Sequence, residues 1–196
     1  MRKKVVAILA IGVLSGCSSQ PSKPATAEKP KPAATITGSG AFYKCFIAAR
    51  NWAPDPQPYR AESQITADSK GRDGKAGVWL AGFASPSLRG IRTFTWTGKG
   101  ISPDVQDTYS PTNTSTQVFN VQFLKVDSDK ALEAAQKHGG EKLLADEPDT
   151  PVLYVLDWDR PENKLVWHVI YGTDRASAKL RVAVDATTGG FLRVEK

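Results

Sequence analysis

Few side chains in this sequence could attack a substrate, hold a metal or carry a proton. There are two cysteines, Cys17 and Cys45, and two histidines, His138 and His168. The histidines stand thirty residues apart with no H-x-x-x-H spacing and no cysteine pair, so there is no zinc signature. A nucleophilic cysteine needs a base beside it, and neither histidine is near a cysteine in the sequence. "GSG" at 38–40 lacks the frame of a nucleophile elbow, and no phosphate loop or dinucleotide fingerprint occurs. Asp157, Asp159 and Glu162 could chelate calcium, but their spacing departs from an EF-hand loop, and Pro161 among them makes a hairpin turn the simpler account. No cofactor and no metal are expected, and the chain reads as a non-enzyme. Five tryptophans remain, at 52, 79, 96, 158 and 167. Most belong in a core. Trp79, Trp96 and Trp158 are the candidates for an aromatic contact with a peptide or glycan.

The elements that would position these residues begin at Ser39. Phe42, Cys45, Phe46, Ala49 and Trp52 share one face at helical spacing and predict a helix over 40–52, stopped by Pro54, Pro56 and Pro58. Cys45 falls on that face and reads as a core thiol. Strand-like runs follow at 59–67, 77–84, 90–97 and 118–126. In the last, Phe119, Val121 and Phe123 alternate with Asn120 and Gln122. "GKGISPDVQDTYSPTNTST" reads as a long loop. The order then restarts. Ser128 can cap a helix carrying Ala131, Leu132 and Ala135, which ends at Gly139 and Gly140, where His138 can serve the last carbonyls. Strands are predicted at 152–158, 165–171, 180–185 and 191–194, with "DRPENK" and "ATTGG" as turns. His168 lies on one of them between Trp167 and Val169 and reads as a hydrogen-bonded structural histidine. One helix followed by four strands, twice, predicts an α+β fold with antiparallel sheets, in two tandem units at 39–126 and 127–196. The apolar runs "VLYVLDW" and "LVWHVIYG" predict that the second sheet face is also partly covered.

The N-terminus has a different character. Arg2, Lys3 and Lys4 precede an apolar run over 5–14, which is too short for a bilayer span of roughly 20 residues and reads as the core of a signal peptide. Leu14, Ser15 and Gly16 then run into Cys17. This stretch resembles the lipobox of bacterial lipoproteins. The resemblance implies removal of residues 1–16, a diacylglyceryl group on the Cys17 thiol and a further acyl chain on its new amino group. An anchor of two or three chains, at roughly 0.8 kcal/mol per buried CH2, holds a protein at a membrane stably. Ser18 follows where a retention signal would carry Asp, so the resemblance favours an outer-membrane, periplasm-facing location over the inner membrane. Residues 18–38 hold four prolines and one large apolar residue, Ile36, and predict a tether that would reach roughly 60 Å if extended.

The net charge of +6 includes three from Arg2, Lys3 and Lys4, and the +3 left on the mature chain argues against nucleic-acid binding. With Cys17 acylated, Cys45 has no partner within the chain.

"SDKALEAAQKHGG", "LVWHVIYG" and "LRVAVDATTGGFLRV" together resemble the PepSY and PepSY-like domains of exported bacterial proteins, with Val184, Asp185, Thr188 and Gly189 matching a V-D-x-x-T-G hairpin. The resemblance covers residues 127–196 and implies a small, cystatin-like α+β fold, found in propeptides that restrain metallopeptidases and in many lipoproteins. Asp185 and Gly189 carry over only as turn-forming positions. The expected function is a membrane-anchored, non-enzymatic module that binds an envelope protein or peptide. An envelope hydrolase with an unrecognised site and a structural accessory in envelope assembly are the alternatives.

Overall fold

The two longer helices form where small and larger apolar residues recur every three or four positions. The computed structural model describes residues 34–195, so the lipobox, Cys17 and most of the tether lie outside the described residues. A two-residue strand β1 (Ile36–Thr37) leads into α1 (Gly38–Trp52), whose buried face is Gly38, Ala41, Phe42, Cys45 and Ala49. The helix stops where Ala53 turns extended, its N–H donating back to Ala49 O at 2.9 Å before Pro54. Strands β2 (Gln57–Gln64), β3 (Lys75–Ala76), β4 (Val78–Ser85), β5 (Gly90–Thr97) and β6 (Gly100–Thr108) follow. After α2 (Ser128–Ala135) and α3 (Glu141–Asp146) come β7 (Val152–Asp159), β8 (Lys164–Tyr171), β9 (Leu180–Asp185) and β10 (Phe191–Glu195).

Eight of the strands make one antiparallel sheet in the order β10-β9-β8-β7-β2-β4-β5-β6. Each half of the chain contributes a four-strand meander, and the two meanders join through their first strands, with Ala61 opposite Leu156. Both helices pack on the same face, α1 over β4 and β5, α2 over β8 and β9. The α+β fold with antiparallel pairing is as the sequence predicts. The two sequence units share one sheet and one apolar core, and the described residues form one compact unit.

Three local expectations are corrected. The "ISPDVQDT" stretch, predicted as loop, is the edge strand β6, pairing Ile101 with Trp96 and Pro103 with Phe94. Pro103 is tolerated because an edge strand needs no donor on its outer side. The alternating run 118–126 is no strand. It holds one 3-10 turn, Val121–Phe123, closed when Asn120 Oδ1 accepts the Gln122 N–H at 2.9 Å. Phe119 is buried and stacks on Phe42 of α1 with centroids 6.0 Å apart, while Phe123 is exposed. Alternation therefore records inward and outward positions against a helix, a pattern that sheet pairing would share. The second helix, predicted to stop at Gly139 and Gly140, only kinks there and resumes as α3: Gly139 takes φ 108°, and the space a Gly140 side chain would fill holds the Tyr171 hydroxyl. His138 stacks on Phe191, centroids 3.7 Å apart.

Candidate functional site

The predicted aromatic contacts come first. Trp79 is 1% exposed and Trp96 is buried, both on the helix-covered face of the sheet, so neither offers a ring to a ligand. Trp158 is half-buried against Phe123, centroids 5.4 Å apart. The tryptophans organise the centre of the core instead. Trp79 and Trp167 meet edge to face at 6.3 Å, with Gly38 so close beneath both rings that an added methyl would lie 2.9 Å from Trp79. The Trp79 indole N–H donates to Ile36 O at 3.0 Å and the Trp167 indole N–H to Val126 O at 2.8 Å. Each carbonyl lies two residues before the helix of its own half.

Cys45 sits fully buried in α1, its thiol donating weakly to Phe94 O at 3.6 Å. Burial pushes the thiol up to about 12, against a lesser pull from the Trp96 backbone, so it stays protonated and unreactive. The V-D-x-x-T-G stretch folds as a tight hairpin. Asp185 Oδ1 accepts the N–H groups of Thr187 at 2.8 Å and Thr188 at 3.1 Å, and Gly189 takes φ 77°.

On the sheet face away from the helices lies a group of charges that the sequence does not announce. His168 alternates with the core residues Trp167 and Val169 and so projects to that outer face, 3% exposed. Its Nε2 donates to Asp157 Oδ1 and its Nδ1 to Glu195 Oε1, both at 2.9 Å. Arg60 lies 3.5 Å from Asp157, and Arg175 bridges the ends of the pair, 4.0 Å from Asp157 and 3.7 Å from Glu195. Arg193 approaches Glu195 at 3.1 Å and also pairs with Asp159. Burial alone would lower the imidazole's proton affinity, but the bonds to Asp157 and Glu195 outweigh it and hold the ring above its ordinary value. Burial works likewise against both carboxylates. The bond from His168 nevertheless keeps Asp157 below its usual range and, with Arg175 and Arg193 adding to it, brings Glu195 to about 2.

Both ring nitrogens are occupied, so His168 as placed has no lone pair for a metal or for taking a substrate proton. Asp157, Asp159 and Glu162, the calcium candidates, are drawn into this network and its hairpin: Asp159 Oδ1 accepts the Glu162 N–H at 3.1 Å, and Glu162 lies 4.0 Å from Arg193. Among the described residues no three His, Cys, Asp or Glu side chains are grouped to hold a metal, and no helix is long and apolar enough to cross a membrane.

The helix side offers a different feature. Between the C-terminal half of α1 and the segment after β6 runs an open groove of about 360 Å³, lined by Phe46, Pro56, Gln57, Pro58, Val118, Phe119, Asn120 and Val121. Its lining carries no charge. Beside it on α1, one turn apart, Tyr43 is 42% and Ile47 65% exposed.

No protein-family model and no curated protein matches this chain. Among solved structures, one described as a putative lipoprotein from Clostridium difficile 630 has a similar fold. The TM-score is 0.53 at 12% identity, over 79% of this chain and 91% of that one. At that identity the likeness speaks for the arrangement of helices and sheet.

Proposed function

We propose that this chain is a lipid-anchored lipoprotein of the bacterial cell envelope, acylated at Cys17, whose domain is a non-enzymatic module that binds a protein partner through an extended, apolar peptide segment. The groove beside α1 carries this reading. Monomeric proteins rarely leave large apolar side chains grouped on the surface when nothing covers them, yet Ile47 and Tyr43 stand out together beside a lining of proline, valine and phenylalanine. Gln57 and Asn120 are the lining's side-chain amides, and they suit the exposed backbone of an extended segment better than a charged ligand. The lipobox and the proline-rich stretch after it support the anchor, and the description of the Clostridium difficile neighbour agrees. The V-D-x-x-T-G hairpin supports a PepSY-like second half, and Ser18 supports the outer membrane.

Two experiments test the two parts separately. Cys17→Ser should remain unprocessed or leave the membrane fraction, and a variant still processed and extractable only with detergent would refute the anchor. A photo-crosslinking residue in place of Asn120 should give one discrete adduct in cells, lost when Ile47→Glu is added. The same residue in place of Thr95, on the opposite face of the sheet, should give none. Equal labelling at both positions, or an adduct that survives Ile47→Glu, would rule out the groove.

A further inference from the structure

β10 is one edge strand of the sheet and, among the described residues, pairs with β9 alone. It is five residues long, and of its apolar residues Phe191 and Val194 are 38% and 49% exposed and Leu192 is only half-buried, so apolar burial holds it weakly. Its firm attachments are charged. Arg193 reaches Asp159 and Glu162 at the β7–β8 hairpin, and Glu195 reaches across β9 to His168 on β8.

The chemistry of that last contact is restrictive. Both neighbours of the imidazole are carboxylates, which only accept hydrogen bonds, so both ring nitrogens must carry hydrogens and the ring must be a cation. A neutral ring would point a lone pair at one carboxylate oxygen 2.9 Å away. Asp157 sits inside the sheet between β8 and β2 and cannot retreat. Glu195 sits on the edge, and among the described residues its buried Oε2 has no donor within hydrogen-bond distance, Arg175 being 3.7 Å away. The charged groups facing the ring are Asp157 from β7, Glu195 and Arg193 from β10, Arg175 from the β8–β9 connection, and Arg60 from β2, which is itself paired with Glu62. With the ring neutral, Asp157 keeps Arg60 and its place inside the sheet, while Glu195 keeps Arg193 of its own strand and Arg175 of a connection but stands on the edge, so Glu195 is the partner free to give way.

We propose that His168 is a proton-held latch for β10: the charged ring locks the strand to the sheet through Glu195, and loss of its proton frees β10 and uncovers the edge of β9. This goes beyond the binding role proposed above and does not rest on it. The direction in pH follows from the raised affinity of the ring. The stabilisation is fully present below the unfolded histidine value of about 6.5 and is lost as pH rises through the folded value. On the acid side the latch holds until Glu195 takes a proton, at about 2.

Hydrogen exchange of the full chain from pH 6 to 10, corrected for intrinsic rates and followed by mass spectrometry, tests the latch. Protection in peptides covering β9 and β10 should fall relative to those covering β4 and β5, by about tenfold for each unit by which the folded ring exceeds the unfolded one. His168→Gln should abolish that step. Should this variant not fold, Glu195→Gln at the sheet edge should show β10 already loosened at pH 6. Parallel protection of both regions across the range, or a step that survives in either variant, would overturn the latch.

Discussion

The two halves of the sheet use the same device on one face and opposite devices on the other. On the helix face the match is close: Gly38, Ala41, Phe42 and Cys45 are buried in α1 at the same relative positions as Ser128, Ala131, Leu132 and Ala135 in α2. Each half places a tryptophan on its second long strand, Trp79 and Trp167, and bonds its indole to the carbonyl two residues before its helix. The helix starts also touch, since the Gly38 N–H donates to Ser128 Oγ at 2.7 Å and the Ser39 N–H to Asp127 Oδ1 at 2.8 Å. The outer faces diverge. Leu80 follows Trp79 where His168 follows Trp167, and β5 presents Thr93, Thr95 and Thr97 where the second half holds buried ion pairs. The comparison separates what the fold requires, a pair of stapled helices over aromatic rings, from what each half is free to vary.

The largest expected effect comes from breaking the shared device. Trp79→Ala and Trp167→Ala should each cost about 3–5 kcal/mol in denaturant unfolding, as full burial of a large aromatic implies. If the halves depend on each other through that ring contact, the double variant should lose less than the two single losses added together. Strict additivity would mean that the halves are held independently.

His168→Leu, which gives the second half the first half's residue, should cost about 3 kcal/mol near neutral pH because it strands Asp157 and Glu195 without the cation between them. The loss should shrink above the folded value of the ring, where the wild type has lost the same contribution. A pH-independent loss would mean that packing, not charge, holds the site.

Gly38→Ala should cost about 1–3 kcal/mol, since the new methyl meets the Trp79 and Trp167 rings at the point where the halves join. Ser128→Ala should fall in the same range by a different route. It leaves the buried Gly38 N–H without an acceptor and Gly74 O without its 2.6 Å donor.

What was legible in the sequence follows from how local each signal is. α1 announced itself because five apolar residues repeat at helical spacing and prolines end the run. The Asp185 turn was legible because its bonds reach only two and three residues ahead. β6 was hidden because an exposed edge strand needs no apolar alternation, and Pro103, normally a strand breaker, sits where no donor is missed. Ser128 was expected to cap α2, but Asp127 takes that place, its Oδ1 accepting the Ser128 N–H at 2.7 Å, and Ser128 is spent on the other helix. The charged cluster was the least legible part. His168 and Glu195 are 27 residues apart on strands that are not neighbours, so only the sheet order brings them together.

The smallest effect bears on the last of the matched positions, where one helix carries a thiol and the other a methyl. Cys45 occupies in α1 the position that Ala135 occupies in α2, and both are fully buried. If the position asks only for a small side chain beneath the sheet, Cys45→Ala should cost about 1 kcal/mol, the transfer of one sulfur plus its weak bond to Phe94 O. The thiol should also react with a disulfide reagent at pH 8 only as fast as the domain opens, because burial keeps it protonated, with an affinity up to about 12. Both are measurable in a Cys17→Ser background, where Cys45 is the sole thiol. Fast labelling of the native domain there would show that α1 lifts from the sheet on its own, and the two halves would then differ in mobility as well as in charge.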